Sequence, residues 1–324
     1  MRLPPQDFDS PVRARGLFKR YGDVVAVDHA DLNVSPSDVY GFLGPNGAGK
    51  TTALRMMLGL IRPTEGDVTL FGRDPLIYGA RALDGVAGFV EAPRFYPYLS
   101  GRTNLELVAA LDGGDSAKRI DEALDIVELA PRARHKVGGY SHGMRQRLGI
   151  AGALLRNPRL MLLDEPGTGL DPAGMRDMRQ LIRRLADSGM TVLLSSHQLA
   201  EVEELCNRVG IISGGKIAFE GTLEDLRAGT RPDYRVRTTD DRLALGVARA
   251  QPGIADAQLD RGALHFRADE AATAALTIAL GEAGIGIMVL VPEIPTLEDL
   301  FFRLTEGDGA QPAAAVQHEQ ELLA

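Results

Sequence analysis

The string Gly44-Pro45-Asn46-Gly47-Ala48-Gly49-Lys50-Thr51 constrains this chain more than any other stretch. It follows the short apolar run Val39-Tyr40-Gly41-Phe42-Leu43 and opens a helical pattern over residues 50–60. A G-x-x-x-x-G-K-[ST] string in that strand-to-helix setting makes a phosphate-binding loop. Its glycines let the backbone wrap until consecutive N–H groups point inward at phosphate oxygens. The helix that starts near Lys50 adds the positive end of its dipole. Lys50 supplies a point charge for the β- and γ-phosphates, and the Thr51 hydroxyl is the expected Mg²⁺ ligand. The plain alternative is a glycine-rich turn that binds nothing. Ordinary composition yields such a string in roughly one chain of this length in a hundred, so the flanking strand and helix decide for the loop.

A second string completes the chemistry. Leu160-Met161-Leu162-Leu163 runs into Asp164-Glu165-Pro166. A carboxylate at the end of a buried strand can hold Mg²⁺, directly or through water, which makes Asp164 a candidate ligand. Glu165, one residue on, points to the opposite side and can orient and deprotonate an attacking water. Phosphoryl transfer needs positioning and charge neutralisation more than covalent help, so two acids with different duties suffice. Alone, a strand ending in Asp-Glu reads as solvated acids; downstream of a phosphate loop it completes a site for nucleoside triphosphate hydrolysis.

The surrounding pattern is α/β. The runs at 160–163 and Thr191-Val192-Leu193-Leu194 are of the kind made by strands buried on both faces. Between them Met175, Met178, Leu181, Ile182 and Leu185 mark one apolar helix face. Strand, helix, strand at this spacing indicates a parallel sheet. Residues from about 92 to 157 break the alternation with helical stretches at 103–111 and 121–129, a mostly helical insertion. Residues 209–212, the turn Ser213-Gly214-Gly215 and residues 216–219 read as a closing hairpin. The expectation is a P-loop NTPase core with a parallel sheet over residues 1–222. Strand, helix, strand, strand, helix and strand then follow at 234–237, 241–250, 254–259, 263–268, 270–282 and 285–291. That β-α-β-β-α-β order is ferredoxin-like, a small α+β domain over 223–306. It ends in a helix at 296–304, capped by Thr296 with acids in its first turn. Residues 307–324, rich in Ala, Gln and acids, read as a disordered tail.

Composition narrows the setting. At 324 residues the chain accommodates such a core plus a smaller domain, and 44% hydrophobic with 25% charged residues is ordinary for a packed interior. A net charge of −8 lacks the basic face of a nucleic-acid binder, so no nucleic-acid partner is expected. The lone Cys206 excludes an internal disulfide and fits a reducing cytoplasm. No apolar run approaches the ~18 residues of a membrane span, and the N-terminal MRLPPQDFDS has no apolar core of a signal peptide. Any span must come from another chain.

Between the two halves of the site lies Tyr140-Ser141-His142-Gly143-Met144, followed by Arg145-Gln146-Arg147. This resembles the signature motif of ABC transporter ATPases, LSGGQ followed by basic residues and Gln. Gly169-Leu170-Asp171 is similar to their D-loop, His197 after the strand at 191–195 to their switch histidine, and Tyr21 to the aromatic residue that stacks on adenine. The resemblance covers about residues 10–222. It implies ATP and Mg²⁺ as ligands and two subunits packed head to tail. Each ATP would touch the loop from Gly44 to Thr52 of one subunit and Ser141 and Gly143 of the other. A small hydroxyl and a backbone N–H at a helix start suit a γ-phosphate. The resemblance also implies that His197 reaches the γ-phosphate and steadies the water at Glu165. The plain reading of His197 is a strand-end histidine, and that of His142, in place of a family glycine, is a tolerated loop side chain.

Where the family usually has Gln after the strand at 86–90, this chain has Glu91. Glu there resembles the subgroup that exports drugs and antimicrobial peptides, including bacitracin-resistance and lantibiotic-immunity ATPases. The resemblance places Glu91 with Thr51 and Asp164 at the Mg²⁺ and makes it, with Asp171, a coupling residue. It makes residues 95–99 part of a groove for a permease helix, although an amphipathic core segment accounts for about half of them. The terminal helix with Leu297, Leu300, Phe301 and Leu304 is similar to that subgroup's as well. The function implied is an ATPase subunit on the cytoplasmic face of a membrane, powering export of a drug, antimicrobial peptide or lipid-like compound through a separate permease. The alternatives are an import ATPase, disfavoured by Glu91 and the terminal domain, and an ABC ATPase of DNA repair or translation. The latter would carry a long coiled coil or two ATPase units.

Overall fold

The computed structural model describes residues 10–228, 233–260, 262–293 and 296–306. The chain divides into two compact units, one made of the residues up to Leu223 together with residues 304–306, and the other running from Glu224 to Arg303.

The first unit opens with β1 (Val12–Tyr21), β2 (Val24–Val34), β3 (Val39–Leu43), α1 (Lys50–Met57), β4 (Glu65–Leu70), α2 (Pro75–Tyr78) and β5 (Val86–Phe89). Helices α3 (Gly101–Asp112), α4 (Ile120–Ile126) and α5 (His142–Leu154) form the insertion. Then come β6 (Leu160–Asp164), α6 (Pro172–Asp187), β7 (Thr191–Ser196), α7 (Leu199–Leu205), β8 (Arg208–Ser213) and β9 (Lys216–Thr222). The main sheet has the order β5-β6-β7-β3-β8-β9, with parallel pairs throughout except antiparallel β9 at one edge. β3, β6 and β7 are buried along their whole length because helices or a second layer cover both faces. Leu160, Met161, Leu162 and Leu163 are all 0% exposed, and each such side chain contributes about 1.5–3 kcal/mol by leaving water. The register sets Asp164 beside Ser195 and Leu43 beside Ser196. The carboxyl ends of three adjacent strands, where open α/β sheets bind ligands, therefore carry the phosphate loop, the two acids and His197.

A second sheet, β2-β1-β4, is antiparallel and is absent from the α/β pattern read in the sequence. β1 hides it: the strand shifts register three times against β2 and places Gly16 at φ +53, so its apolar residues do not alternate cleanly. Helix α1 lies in the core these sheets share, with Leu54, Met56 and Met57 packed among Leu17, Val27, Leu32, Phe42 and Leu162. It stops at Met57, short of the expected residue 60, in a Schellman turn. Gly59 takes φ +68 and donates to the Met56 carbonyl, and Leu60 donates to that of Arg55. Helix α7 lies over β3. A Cβ on Gly41 would stand 2.8 Å from Val202 and 3.0 Å from the Cys206 sulfur, which burial also keeps well above the ordinary thiol pKa.

The second unit holds α8 (Leu223–Ala228), whose first residue ends the first unit, then β10 (Asp233–Thr238), α9 (Asp241–Ala250), β11 (Ala255–Asp260), β12 (Ala263–Arg267), α10 (Glu270–Glu282), β13 (Ile287–Glu293) and α11 (Leu297–Glu306), whose residues after Arg303 group with the first unit. Its sheet runs β11-β12-β10-β13, all antiparallel. Tyr234, Val236, Leu264 and Phe266 face Ala244, Ala248, Leu276 and Leu280 of the helices. Asp240 and Asp269 cap α9 and α10. Thr296 and Asp299 cap α11 reciprocally, each side chain accepting from the other's backbone N–H. Residues 307–324, expected as a tail, lie outside the described residues.

Candidate active site

The loop leaves β3 at Gly44 and meets α1 at Gly49, whose φ is +104. A Cβ there would stand 2.2 Å from the Ala26 carbonyl oxygen, so only glycine fits. Lys50 is 6% exposed. Its ammonium donates to the carbonyls of Gly44 at 2.7 Å and Pro45 at 3.2 Å and lies 3.4 Å from Glu165 Oε1. The Thr51 hydroxyl donates to Asp164 Oδ2 at 3.0 Å, and Ser195 Oγ donates to Asp164 Oδ1 at 2.5 Å. The same serine oxygen accepts from the Glu165 N–H at 3.0 Å, locking the two acids to β7.

Glu165 adopts φ +50, a left-handed conformation that costs a non-glycine residue about 1–3 kcal/mol. Its Oε2 accepts from Thr168 Oγ1 at 2.7 Å and meets His197 Nδ1 at 2.5 Å. Burial pushes the carboxyl up, but the Thr168 hydroxyl, Lys50 and His197 together outweigh it and hold the group below its ordinary value. Glu165 is thus ionised and an acceptor near neutrality. The Thr51 hydroxyl and the Asp164 carboxylate, in contact at 3.0 Å, form a hard-oxygen pair of the kind that takes Mg²⁺. Among the described residues no cluster of three His, Cys, Asp or Glu could hold a metal by itself.

A second cluster forms at the start of α5. Ser141 is its N-cap, accepting from the Met144 N–H at 3.2 Å, and Asp171 caps α6 by accepting from the Gly174 N–H at 3.1 Å. Ser141, Gly143, Gly169 and Asp171 line one cavity of about 380 Å³. His142 joins this cluster to the first through the Thr168 carbonyl, 3.0 Å from its Nε2.

The side chains of Tyr21 and Glu91 belong to neither cluster. Tyr21, at the end of β1, is 48% exposed and has the Lys19 ammonium 4.9 Å from its ring centroid. Glu91, at φ +71, pairs with Arg55 of α1 rather than with Thr51 or Asp164, and its side chain is 58% exposed. The loop after it is anchored at Pro93, whose ring packs where Gly149 of α5 has no side chain. Tyr96 and Tyr98 beyond it are exposed, their rings 5.8 Å apart. Sequence reasoning missed Ser195, Thr168 and Arg55. The position of Thr168, three residues after Glu165, carried a turn signal; the other two depend on which elements lie side by side.

The ABC transporter family matches residues 27–168. The bacitracin transport ATP-binding protein of Bacillus licheniformis is 39% identical, covering 91% of this chain and 97% of that protein. A daunorubicin resistance ATP-binding protein of Streptomyces coeruleorubidus is 36% identical, covering 95% and 99%. Among solved structures, a dimeric ATP-binding cassette in a post-hydrolysis state bound to ADP and Pi superposes with a TM-score of 0.58 at 26% identity, covering 65% of this chain and 98% of that one. Identity of this extent over nearly the whole chain, around a site built for phosphates, shows that the chain belongs to the ABC transporter family as one of its ATP-binding, ATP-hydrolysing subunits.

Proposed function

We propose that the chain powers export of a drug, antimicrobial peptide or lipid-like compound through a separate permease, working at the cytoplasmic face of a membrane. The observation that carries this reading is the extent of the likeness: the relatives named for bacitracin transport and daunorubicin resistance match 91% and 95% of this chain, so the similarity reaches into the second unit. No described helix is long and apolar enough to cross a membrane, which leaves the span to a partner. Residues 1–222 serve as the ATPase and 223–306 as an accessory domain in this reading.

The residues divide the work. The loop N–H groups from Gly44 to Thr52 hold the phosphates, and the half-exposed Tyr21 ring stacks on adenine. Lys50, now shared between Gly44, Pro45 and Glu165, is the cation the phosphates meet. Thr51 and Asp164 would hold Mg²⁺, which would supply positive charge to the phosphates. Glu165 takes the proton of the attacking water, and His197 fixes its carboxylate. Ser141 and Gly143 bind the γ-phosphate held by a second copy packed head to tail, with Asp171 at the same interface. Glu91 and residues 95–99 couple the site to the permease.

The test is reconstitution. The chain should co-purify with a membrane protein of the same cell and show ATPase activity stimulated by bacitracin-like or anthracycline compounds in vesicles. Stimulation by a solute taken up, rather than expelled, would overturn the export reading.

A further inference from the structure

His142 stands where the family resemblance expects glycine, and the fold gives its side chain a defined partner. It is the first residue of α5, directly after the Ser141 cap. Its Nε2 lies 3.0 Å from the Thr168 carbonyl oxygen. A carbonyl can only accept, so Nε2 carries the proton and donates. The ring also rests against the next residue: a Cβ at Gly169 would lie 3.4 Å from Nε2. Thr168 in turn holds Glu165 twice, its hydroxyl donating to Oε2 at 2.7 Å and its N–H to the Glu165 carbonyl at 3.1 Å. That second bond closes a tight turn, so a displacement of the Thr168 carbonyl moves Glu165 instead of dissipating along a loose loop. Glu165 Oε2 is also the oxygen that meets His197. A continuous run of hydrogen bonds thus leads from the cap of α5 to the carboxylate beside the phosphate loop.

We propose that His142 is a positioning residue that ties the Ser141 end of α5 to Glu165 within one chain, so that nucleotide docked on Ser141 sets the acid serving the other nucleotide. The inference rests on the head-to-tail arrangement proposed above. In that arrangement Ser141 faces the partner's ATP while Glu165 faces its own chain's ATP, and the His142–Thr168 bond is a physical link between the two. Glycine has no side-chain donor and makes no such link; with His142 the two sites of a dimer fire in step.

The experiment uses the full chain as wild type, His142→Ala, His142→Gly, His142→Gln and Thr168→Val. Gln keeps an amide N–H at a reach similar to Nε2. Equilibrium binding of a non-hydrolysable ATP analogue to the monomer should be the same in all five. For His142→Ala, His142→Gly and Thr168→Val, kcat should fall about fivefold, the scale of one hydrogen bond, with KM for ATP within about twofold. Their Hill coefficient for ATP should drop toward 1. His142→Gln should restore kcat, which a loss of packing alone would not permit. If Glu165→Gln stays monomeric with ATP and Mg²⁺, the head-to-tail reading falls and takes the inference with it. If that variant pairs but His142→Ala keeps the wild-type kcat and ATP dependence, the inference alone is overturned. A loss of kcat that Gln fails to restore also overturns it, because the ring's shape and not its donor would then matter.

Discussion

The two polar clusters of the first unit are built on opposite plans. Around the phosphate loop, Lys50 and Asp164 are 6% and 5% exposed, and each finds its partners in the same chain: Lys50 the Gly44 and Pro45 carbonyls and the Glu165 carboxylate, Asp164 the hydroxyls of Thr51 and Ser195. Buried charge is tolerable only when paired in this way, so this half arrives preorganised. At the start of α5 the Ser141 hydroxyl is exposed and engaged by the N–H of its own helix's Met144, and it borders an open cavity. Nothing there would be costly to leave in water. The contrast teaches that one cluster is a finished interior while the other is an open surface, of the kind the proposed second copy would cover. On the head-to-tail arrangement proposed above, a single chain holds two unlike halves of a site, not one whole site.

The strongest attempt to break that contrast is Glu165→Gln. Loss of the proton acceptor should lower turnover by about 10²–10⁴-fold, leave nucleotide binding in place, and allow ATP with Mg²⁺ to hold the chain as a dimer on size-exclusion chromatography. Near wild-type turnover would remove Glu165 from its role. Next comes Lys50→Ala, which strips a charged contact from the finished half; nucleotide affinity of the monomer should fall by about 10- to 100-fold in equilibrium titration. Ser141→Ala acts on the open half and should spare monomer binding while weakening ATP-driven pairing. Its lost cap should lower stability by about 1 kcal/mol in denaturant unfolding. Abolished monomer binding in that variant would refute the division into halves. The smallest effect belongs to Glu91→Gln. Its partner Arg55 is one helical turn beyond Thr51, and an exposed ion pair contributes only about 0–1 kcal/mol. Basal ATPase activity should change less than about twofold, with a larger loss of cargo stimulation in the reconstituted transporter. Full stimulation would make Glu91 a bystander on a solvated loop.

What the sequence disclosed tracks what local pattern can encode. β3, β6 and β7 are legible because strands covered on both faces must be apolar throughout, and the loop and acids because their chemistry fixes residue types at fixed offsets. The antiparallel sheet is not legible, since β1 is bent by bulges that break its alternation. Ser195 is hidden for another reason: a serine at a strand end says nothing until the register of β6 on β7 sets it beside Asp164. Glu91 shows the limit of reasoning from a motif position. Its place after β5 suggested the metal, whereas its neighbour in space is Arg55 of α1. His142 was readable only as a departure, and its meaning came from the turn at Thr168.

The packing of Cys206 beneath β3 has a practical corollary. Thiol alkylation and oxidation proceed through the thiolate on an accessible sulfur, and this sulfur is both walled in against Gly41 and held protonated. As the chain has no other cysteine, the native protein is already a silent background for maleimide chemistry. A Ser141→Cys chain would carry one reactive handle at the rim of the α5 cavity. Its protection from alkylation by ATP would report, residue by residue, whether a second copy closes over that face.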